Sequence, residues 1–223
     1  MKLIEDGVQF ILNPYDEWYG LVRAIELKEQ HGGSVEVIHV GPVSSEILIR
    51  KALAIGADAA WRIDDDQPTA ASVSSQIAAF AAEKSYDIIF TGKETIDFNG
   101  AEVGSQLAEY LNWPFVSYCN KLELEGQMAR CRREIEGGAE SIQVQLPFVL
   151  SAAKGLAEQR IPNMKGIIDA KKKPLEVVAK QSFAEQTELV RFELPPAKSG
   201  VRMVDPNHID ELVNIFKNEL KII

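Results

Sequence analysis

Residues 92–104 read Gly-Lys-Glu-Thr-Ile-Asp-Phe-Asn-Gly-Ala-Glu-Val-Gly, and this stretch decides how the chain folds. It follows an apolar run at 87–91 that is typical of a buried strand, and it opens an amphipathic helix. We expect one face of this helix to carry Val103, Leu107, Tyr110 and Leu111. A strand, a glycine-bearing loop and a helix N-terminus favour phosphate binding, because free backbone N–H groups and the positive end of the helix dipole face the anion. The stretch therefore suggests a nucleotide site.

The first two-thirds of the chain alternate between helix and strand patterns. The predicted helices cover about 15–30, 47–55, 73–81 and the residues from 103 onward, and the predicted strands cover 35–40, 59–63 and 87–91. Such alternation implies a parallel sheet with helices on both faces. Ligands of these sheets lie at the carboxyl ends of the strands, where the loops at Gly41 and Gly92 are found.

The pattern changes after Pro114. Alternating segments separated by Gly-containing turns predict a strand at 115–119, an antiparallel ribbon over 121–124, 128–135 and 140–146, and a strand at 146–151. No period holds over 152–174, and 175–203 reads as mostly irregular. Asp205 is predicted to start a last helix, with Pro206 at its first position. Its apolar stripe would be Ile209, Leu212, Val213, Phe216 and Leu220.

These patterns predict an α/β fold with a Rossmann-like, mainly parallel sheet, helices on both faces, an antiparallel extension and a C-terminal arm that ends in a helix. We expect a nucleotide-binding domain over 1–174 and an arm over 175–223 that packs on something else. The opening strand of the sheet is missing or shortened in this pattern, because only the short runs 1–4 and 8–12 precede the first helix. Either the sheet begins differently or a segment is missing.

Composition narrows the class of protein. The net charge of −9 argues against a nucleic-acid partner. No apolar run approaches membrane-spanning length, and Glu5 and Asp6 follow too early for a signal peptide, so we expect a cytoplasmic protein. Cys119 and Cys131 do not have the spacing of metal ligands. They could form a disulfide, but the sequence favours free thiols.

Several short motifs are similar to those of one family. They are Asn13-Pro14-Tyr15-Asp16, the run from Arg50 to Asp58, the run from Gly92 to Asp97, Trp113-Pro114, the run from Arg133 to Gly138, Leu146-Pro147 and the run from Ala170 to Pro174. Over roughly residues 7 to 175 the chain resembles the beta (small) subunit of electron transfer flavoprotein.

The resemblance implies half of a heterodimer, in which the arm over 175–223 would pack on the partner subunit. In this family FAD is bound mainly by the alpha subunit. The beta subunit binds AMP or, in electron-bifurcating members, a second FAD. Electrons come from dehydrogenases, such as the acyl-CoA dehydrogenases of fatty acid beta-oxidation, and leave for a quinone reductase or another acceptor. The chain is then an electron carrier subunit rather than an enzyme, and we expect no bond-making chemistry from it.

The resemblance also implies site residues. The nucleotide contacts would be Asn13, Pro14, Tyr15, Asp16, Val40, Gly92, Asp97, Phe98, Asn99, Gly100, Ala101, Glu102 and Val103. Met164 stands where the family presents an apolar residue to dehydrogenases, and Lys171–Lys173 is either a solvated run or part of the interface with the alpha subunit.

Two residues depart from the family pattern. Gly100 replaces a hydroxyl donor and Glu102 replaces a common glutamine. A carboxylate about 4 Å from a phosphate costs roughly 1 kcal/mol even in water. Glu102 therefore points away, is protonated, or indicates altered ligand binding.

Two other classes of function stay open from the residues. One is a stand-alone adenine-nucleotide-binding α/β module, which would not need the long arm. The other is a nucleotide hydrolase, although Gly92-Lys93-Glu94 is not a Walker sequence. The three histidines have no nucleophile or carboxylate constellation around them, so we assign no catalytic residue and no metal site.

Overall fold

The structure, a computed structural model, describes residues 7–8, 10–66, 68–96, 98–185, 187–188, 190–198 and 200–223. One compact unit covers Gly7–Glu188, and a second, small unit contains the described residues from 190 onward. The helices are α1 (Glu17–His31), α2 (Glu46–Ile55), α3 (Ala70–Ala82), α4 (Val103–Leu111), α5 (Met164–Ala170) and α6 (Ile209–Asn214). The strands are β1 (Glu36–Gly41), β2 (Ala59–Asp64), β3 (Ile88–Thr91), β4 (Phe115–Glu125), β5 (Met128–Ile135), β6 (Gly138–Gln145), β7 (Phe148–Ala152) and β8 (Leu175–Val178).

The strands of the large unit form two sheets. One has the order β1-β2-β8 and is parallel throughout. The other has the order β3-β7-β4-β5-β6, parallel as far as the start of β4 and antiparallel from β4 to β6. The predicted α/β class, the helices on both faces and the antiparallel extension are confirmed.

Helix α1 contributes to the hydrophobic core on two sides. Leu21 and Ile25 pack in a cluster with residues of α2 and β2, such as Leu53 and Ala60. Leu27, further along the same helix, belongs to a second cluster built from β4, β5 and β7. A third cluster places α3 and α4 against β3 and β7. The alternating apolar pattern of the sequence therefore yields the layered core that it predicts.

Two elements are missing from the sequence prediction. Helix α5 lies inside the stretch 152–174, where no period was expected. Strand β8 lies inside the stretch expected to be irregular, and it pairs in parallel with β2. Both elements are short, so their patterns are too brief to stand out from a loop.

Two helix predictions need correction. Tyr110 does not share the buried face of α4: half of its surface is exposed, whereas Leu107 is fully buried. The last helix begins at Ile209 rather than at Asp205. Asp205 instead accepts a hydrogen bond from the backbone N–H of Asn207 at 2.9 Å, and this Asx-type turn holds Pro206 outside the helix.

The small unit ends in a helix, as expected. Helix α6 continues as a π-helical turn over Ile215–Glu219. Arg202 forms ion pairs with Glu211 and Glu219, both at 3.0 Å, and Ile215 is the buried residue of this segment.

Candidate functional site

The candidate site lies where two parallel strands end. Strand β1 ends at Gly41, and Gly92 directly follows β3. Both glycines have close neighbours: a Cβ on Gly41 would lie 2.5 Å from Nε2 of His39, and one on Gly92 would lie 2.1 Å from Oε1 of Glu17. Since ligands of open α/β sheets bind at the carboxyl ends where the strand order reverses, these two loops border the expected crevice.

The first wall of the site is the turn that leads into α1. The side-chain oxygen of Asn13 accepts a hydrogen bond from the backbone N–H of Tyr15 at 3.0 Å. Asp16 is buried, and its carboxylate accepts from the backbone N–H of Glu94 at 3.3 Å and from the Asn13 amide at 3.5 Å. Tyr15 is 62% exposed. The structure thus joins this turn to the loop after β3, although the two are almost 80 residues apart in the sequence.

The loop from Gly92 to Glu102 has an unusual backbone. Thr95, Asn99 and Ala101 have φ values of 56°, 52° and 53°. Left-handed backbone costs roughly 1–2 kcal/mol for a residue other than glycine, so the fold holds the loop against a local cost. The backbone bond from Ala101 N to Glu94 O, at 3.1 Å, closes it. Such outliers are concentrated at ligand-binding sites, which makes the loop a candidate.

Glu102 lies directly before α4, and its side chain does not cap the helix. The carboxylate is exposed and accepts a hydrogen bond from Nε2 of Gln106, one turn further on, at 3.1 Å. The carboxylate of Glu102 therefore does not bond to the backbone N–H groups in the first turn of α4. Phe98, Asn99 and Gly100 are exposed in the same loop, and Asp97 falls outside the described residues.

A pocket of about 260 Å³ connects the turn before α1 with the loop after β3. Its lining residues are Tyr15, Asp16, Lys93, Glu94, Ile96 and Lys154. The Lys93 ammonium lies 2.6 Å from a carboxylate oxygen of Glu94. This hydrogen bond raises the pKa of Lys93 against the opposing effect of burial, so the lysine stays charged at neutral pH. Pockets that enclose a drug-sized ligand measure roughly 300–1,000 Å³, so this pocket has room for part of a nucleotide.

Sequence reasoning missed four of these six lining residues. Lys93, Glu94 and Ile96 stand inside the quoted stretch but were not assigned as contacts. Lys154 follows β7 by two residues, and only the pairing of β7 with β3 brings it to the pocket.

Val40 is buried and lies one residue before the end of β1. Next to it, the buried Arg62 donates to the carbonyl of Gly41 at 2.9 Å and pairs with Glu46 at 3.1 Å and with Asp64. These carboxylates neutralise the guanidinium at the end of β1. Burial, and then the charge of Arg62, lower the pKa of His39, so this imidazole is neutral at physiological pH.

Helix α5 presents the predicted docking residue. Met164 is the first residue of α5 and is 73% exposed. The side chain of Asn163 accepts from the backbone N–H of Gly166 at 2.8 Å and caps the helix. Arg50 donates to the carbonyl of Ala170 at 2.8 Å, which fixes α5 on α2.

The lysine run divides into two parts. Lys171 and Lys172 are exposed. Lys173 donates to the carbonyls of Leu53 and Ala57 at 2.9 and 2.5 Å, at the C-terminal end of α2. A cation is favourable there because it interacts with the negative end of the helix dipole. Lys173 therefore has a structural role, which the interpretation of the three lysines as a solvated run does not include.

Comparison with known proteins decides the family. A family model for the electron transfer flavoprotein domain matches residues 1–182. The chain belongs to the electron transfer flavoprotein family. It is 35% identical to the electron transfer flavoprotein subunit beta of Bacillus subtilis, over 100% of this chain and 91% of the relative. It is 38% identical to the subunit beta of Thermoanaerobacterium thermosaccharolyticum, over 91% of this chain and 77% of the relative.

A third relative is named as a subunit of a larger complex. The chain is 32% identical to subunit CarD of the caffeyl-CoA reductase-Etf complex of Acetobacterium woodii, over 98% of this chain and 89% of the relative. Within the described residues of this flavoprotein chain, no helix is long and apolar enough to cross a membrane. The same part of the chain contains no group of three or more His, Cys, Asp or Glu side chains arranged to hold a metal ion.

Proposed function

We propose that this chain is the beta subunit of a heterodimeric electron transfer flavoprotein. It would work with a larger alpha subunit, which is the main binding partner of the FAD. The heterodimer shuttles electrons from dehydrogenases to a quinone reductase or another acceptor. The observation that carries the proposal is the family match over residues 1–182, together with relatives named subunit beta.

The proposed ligand of this subunit is AMP, or a second FAD in a bifurcating complex. The turn from Asn13 to Asp16, Val40 and the loop from Gly92 to Val103 would hold it. Three observations support the fit: the pocket beside Tyr15, the left-handed backbone at Thr95, Asn99 and Ala101 in the loop after β3, and a helix whose first turn is free of the Glu102 carboxylate. Free N–H groups in that turn suit a phosphate.

FAD, when bound in the heterodimer, supplies the redox chemistry. The residues of this chain contribute positioning. Asp16 ties the turn before α1 to the loop after β3 through the N–H of Glu94, so both walls of the site keep their spacing. Lys93 and Lys154 bring two positive charges to the pocket beside the carboxylates of Asp16 and Glu94, and Tyr15 offers an exposed aromatic ring.

Donor dehydrogenases would dock on α5. Met164 projects an unbranched, adaptable apolar side chain from the start of a helix that Arg50 and Asn163 hold in place. A rigid base with an exposed apolar side chain is suited to contacts with several partners.

Co-expression of the chain with a candidate larger subunit tests the proposal. The two should co-purify as a yellow 1:1 complex whose flavin absorbance bleaches when a donor dehydrogenase and its substrate are added. The proposal would be contradicted if the chain formed homo-oligomers, bound AMP and did not bind the larger subunit. That result would favour the stand-alone nucleotide-binding module.

A further inference from the structure

The chain between the candidate pocket and the proposed docking residue is a single short segment. It begins at Lys154, just after β7, and ends at Met164, the first residue of α5. We call it the docking segment. Lys154 lines the pocket together with Tyr15 and Asp16, and Met164 is exposed. The docking segment therefore connects two places to which the proposed function assigns separate roles.

The middle of the docking segment is bonded to the turn that leads into α1. The side-chain amide of Gln159 donates to the carbonyl of Pro14 at 2.5 Å. The next residue, Arg160, accepts a hydrogen bond at its backbone carbonyl from Nε1 of Trp18 at 3.2 Å. The backbone N–H of Trp18 donates to the carbonyl of Asn13 at 3.2 Å. Two neighbouring residues of the segment thus bond to the chain that forms the first wall of the site.

Packing and an ion pair also fix this part of the docking segment on α1. Ala157 packs against the hydrophobic cluster that contains Trp18, and Leu156 is buried. The guanidinium of Arg160 donates to both carboxylate oxygens of Glu29, at 2.7 and 3.0 Å. Such two-point pairs restrict the orientation of both side chains. Because its partners are residues of α1, this part of the segment keeps its place relative to that helix.

The end of the docking segment is fixed on a different helix. A Cβ on Gly166 would lie 2.5 Å from the carbonyl oxygen of Ala54, so α5 lies directly on the backbone of α2. Ile161, which is exposed, and Pro162 separate the part held on α1 from the cap of α5. The position of Met164 therefore depends on both helices, and a shift at the start of α1 reaches it through a few residues.

We infer that Gln159 is a positioning residue that couples the nucleotide site to the docking of donor dehydrogenases. A nucleotide held against the turn from Asn13 to Asp16 fixes the carbonyl of Pro14, and the bond from Gln159 passes this restraint to the docking segment. Coupling between two sites is carried by packed side chains and hydrogen bonds, which the contacts above supply. The inference rests on the proposed function for the nature of both ligands, and it adds that each ligand changes the affinity for the other.

The sign and size of the coupling follow from this bond. A hydrogen bond between neutral groups changes an equilibrium by roughly two- to tenfold, because bonds to water compete with it. Gln159 is exposed, which places its bond towards the lower end of that range. We therefore expect bound AMP to tighten donor docking about threefold. A docked donor should tighten AMP binding by the same factor, since linkage between two binding sites is reciprocal.

Hydrogen exchange in the heterodimer tests the inference, with AMP as the probe. The complex is freed of nucleotide, and exchange of the backbone amides of 157–161 is followed with and without added AMP. In the parent, AMP should slow these amides about threefold. In Gln159→Leu, whose side chain fills similar space but has no donor, AMP should not slow them. Gln143→Leu, at an exposed position of β6, is the matched control and should respond as the parent does.

Electron uptake separates positioning from a loss of structure. With AMP bound, Gln159→Leu should raise KM for a donor dehydrogenase about threefold at unchanged kcat and Tm, because the lost bond affects docking and not the electron-transfer step. Without AMP, the parent and the variant should have the same KM. Gln143→Leu should match the parent in both states.

The outcomes distinguish the inference from the proposed function. If AMP binds without slowing the amides of 157–161, or slows them equally in Gln159→Leu, the inference is overturned and the proposed function stands. A rise in KM that is the same with and without AMP also overturns it, because such a rise shows a purely structural contact. A heterodimer that takes up no AMP contradicts the proposed ligand and the inference together.

Discussion

Gly104 determines how closely α4 approaches the sheet. It is the second residue of α4 and is buried. A Cβ at this position would lie 2.6 Å from Oγ1 of Thr91 and 2.9 Å from Cε2 of Phe115. Gly20, in α1, is a matched control: it is also buried in a helix, but its Cβ would lie 3.4 Å from the Cβ atoms of Ala152 and Phe90, which is ordinary contact.

Gly104→Ala should destabilise the chain. Replacing glycine by alanine in a helix contributes roughly 0.5–1 kcal/mol of stability. Overpacking costs about 1–3 kcal/mol, and the aromatic ring of Phe115 cannot move aside as a flexible chain end can. The expected net loss is about 1–2 kcal/mol, which lowers Tm by roughly 2–8 °C for a chain of this size. Gly20→Ala should instead raise stability by up to about 1 kcal/mol.

Urea unfolding followed by circular dichroism measures both variants. A Gly104→Ala protein as stable as the parent would refute the argument that α4 packs closely on the sheet because position 104 has no side chain. So would an equal loss in Gly20→Ala. Because the same displacement moves the first turn of α4 away from Thr91, Gly104→Ala should also weaken AMP binding to the heterodimer, and Gly20→Ala should not.

Three further predictions follow from single side chains. Burial alone would raise the pKa of the Glu36 carboxyl, but hydrogen bonds from Tyr86, Trp61 and Lys84 outweigh it and hold the pKa below its usual value. The ionised carboxylate therefore stabilises the fold above about pH 4.5, and this contribution is lost as the pH falls through the folded pKa. Glu36→Gln should be less stable than the parent at neutral pH, and the two proteins should become equally stable in acid. Urea titrations at both pH values would measure this difference. Glu102→Gln should leave AMP affinity unchanged, since the carboxylate bonds Gln106 in solvent; clearly tighter binding by calorimetry would place it at the phosphate. Met164→Ala should lower kcat/KM for electron uptake from a donor dehydrogenase about tenfold, or 1.4 kcal/mol, at unchanged Tm; the neighbouring exposed Ile161→Ala is the control, and equal losses in both would contradict a specific docking role.

The structure brings together two segments of the candidate site that lie far apart in the sequence. Asn13 and Gly92 carry no signal that they are neighbours, yet both precede a helix at the same edge of a parallel sheet. The hydrogen bond from the backbone N–H of Glu94 to the carboxylate of Asp16 joins the two segments. The alternation of strands and helices fixes the direction of every strand, but only the resemblance to the family grouped Asn13 with Gly92.

Lys173 and Lys154 show what the sequence does not contain. Lys173 stands in a run of three lysines, and composition alone makes all of them equivalent. Only the approach of the C-terminal end of α2 makes Lys173 a partner for two carbonyl groups. Lys154 reaches the pocket through the pairing of β7 with β3, a contact between strands about 60 residues apart.

Short elements escaped prediction for a related reason. Strand β8 has four residues directly after Pro174, and its stability comes from pairing with β2 rather than from its own pattern. Helix α5 has seven residues and includes Gly166, but the Asn163 cap and the Arg50 bond to Ala170 stabilise it. Long-range partners decide such elements, so local propensity is a weak guide to them.

We propose above that this chain binds a nucleotide as half of a flavin-carrying heterodimer. The most direct test is to purify the complex with its larger subunit, denature it, and quantify the released FAD and AMP. One FAD and one AMP per heterodimer, or two FAD without AMP in a bifurcating complex, is the predicted result. A folded complex that releases no flavin would contradict the claim.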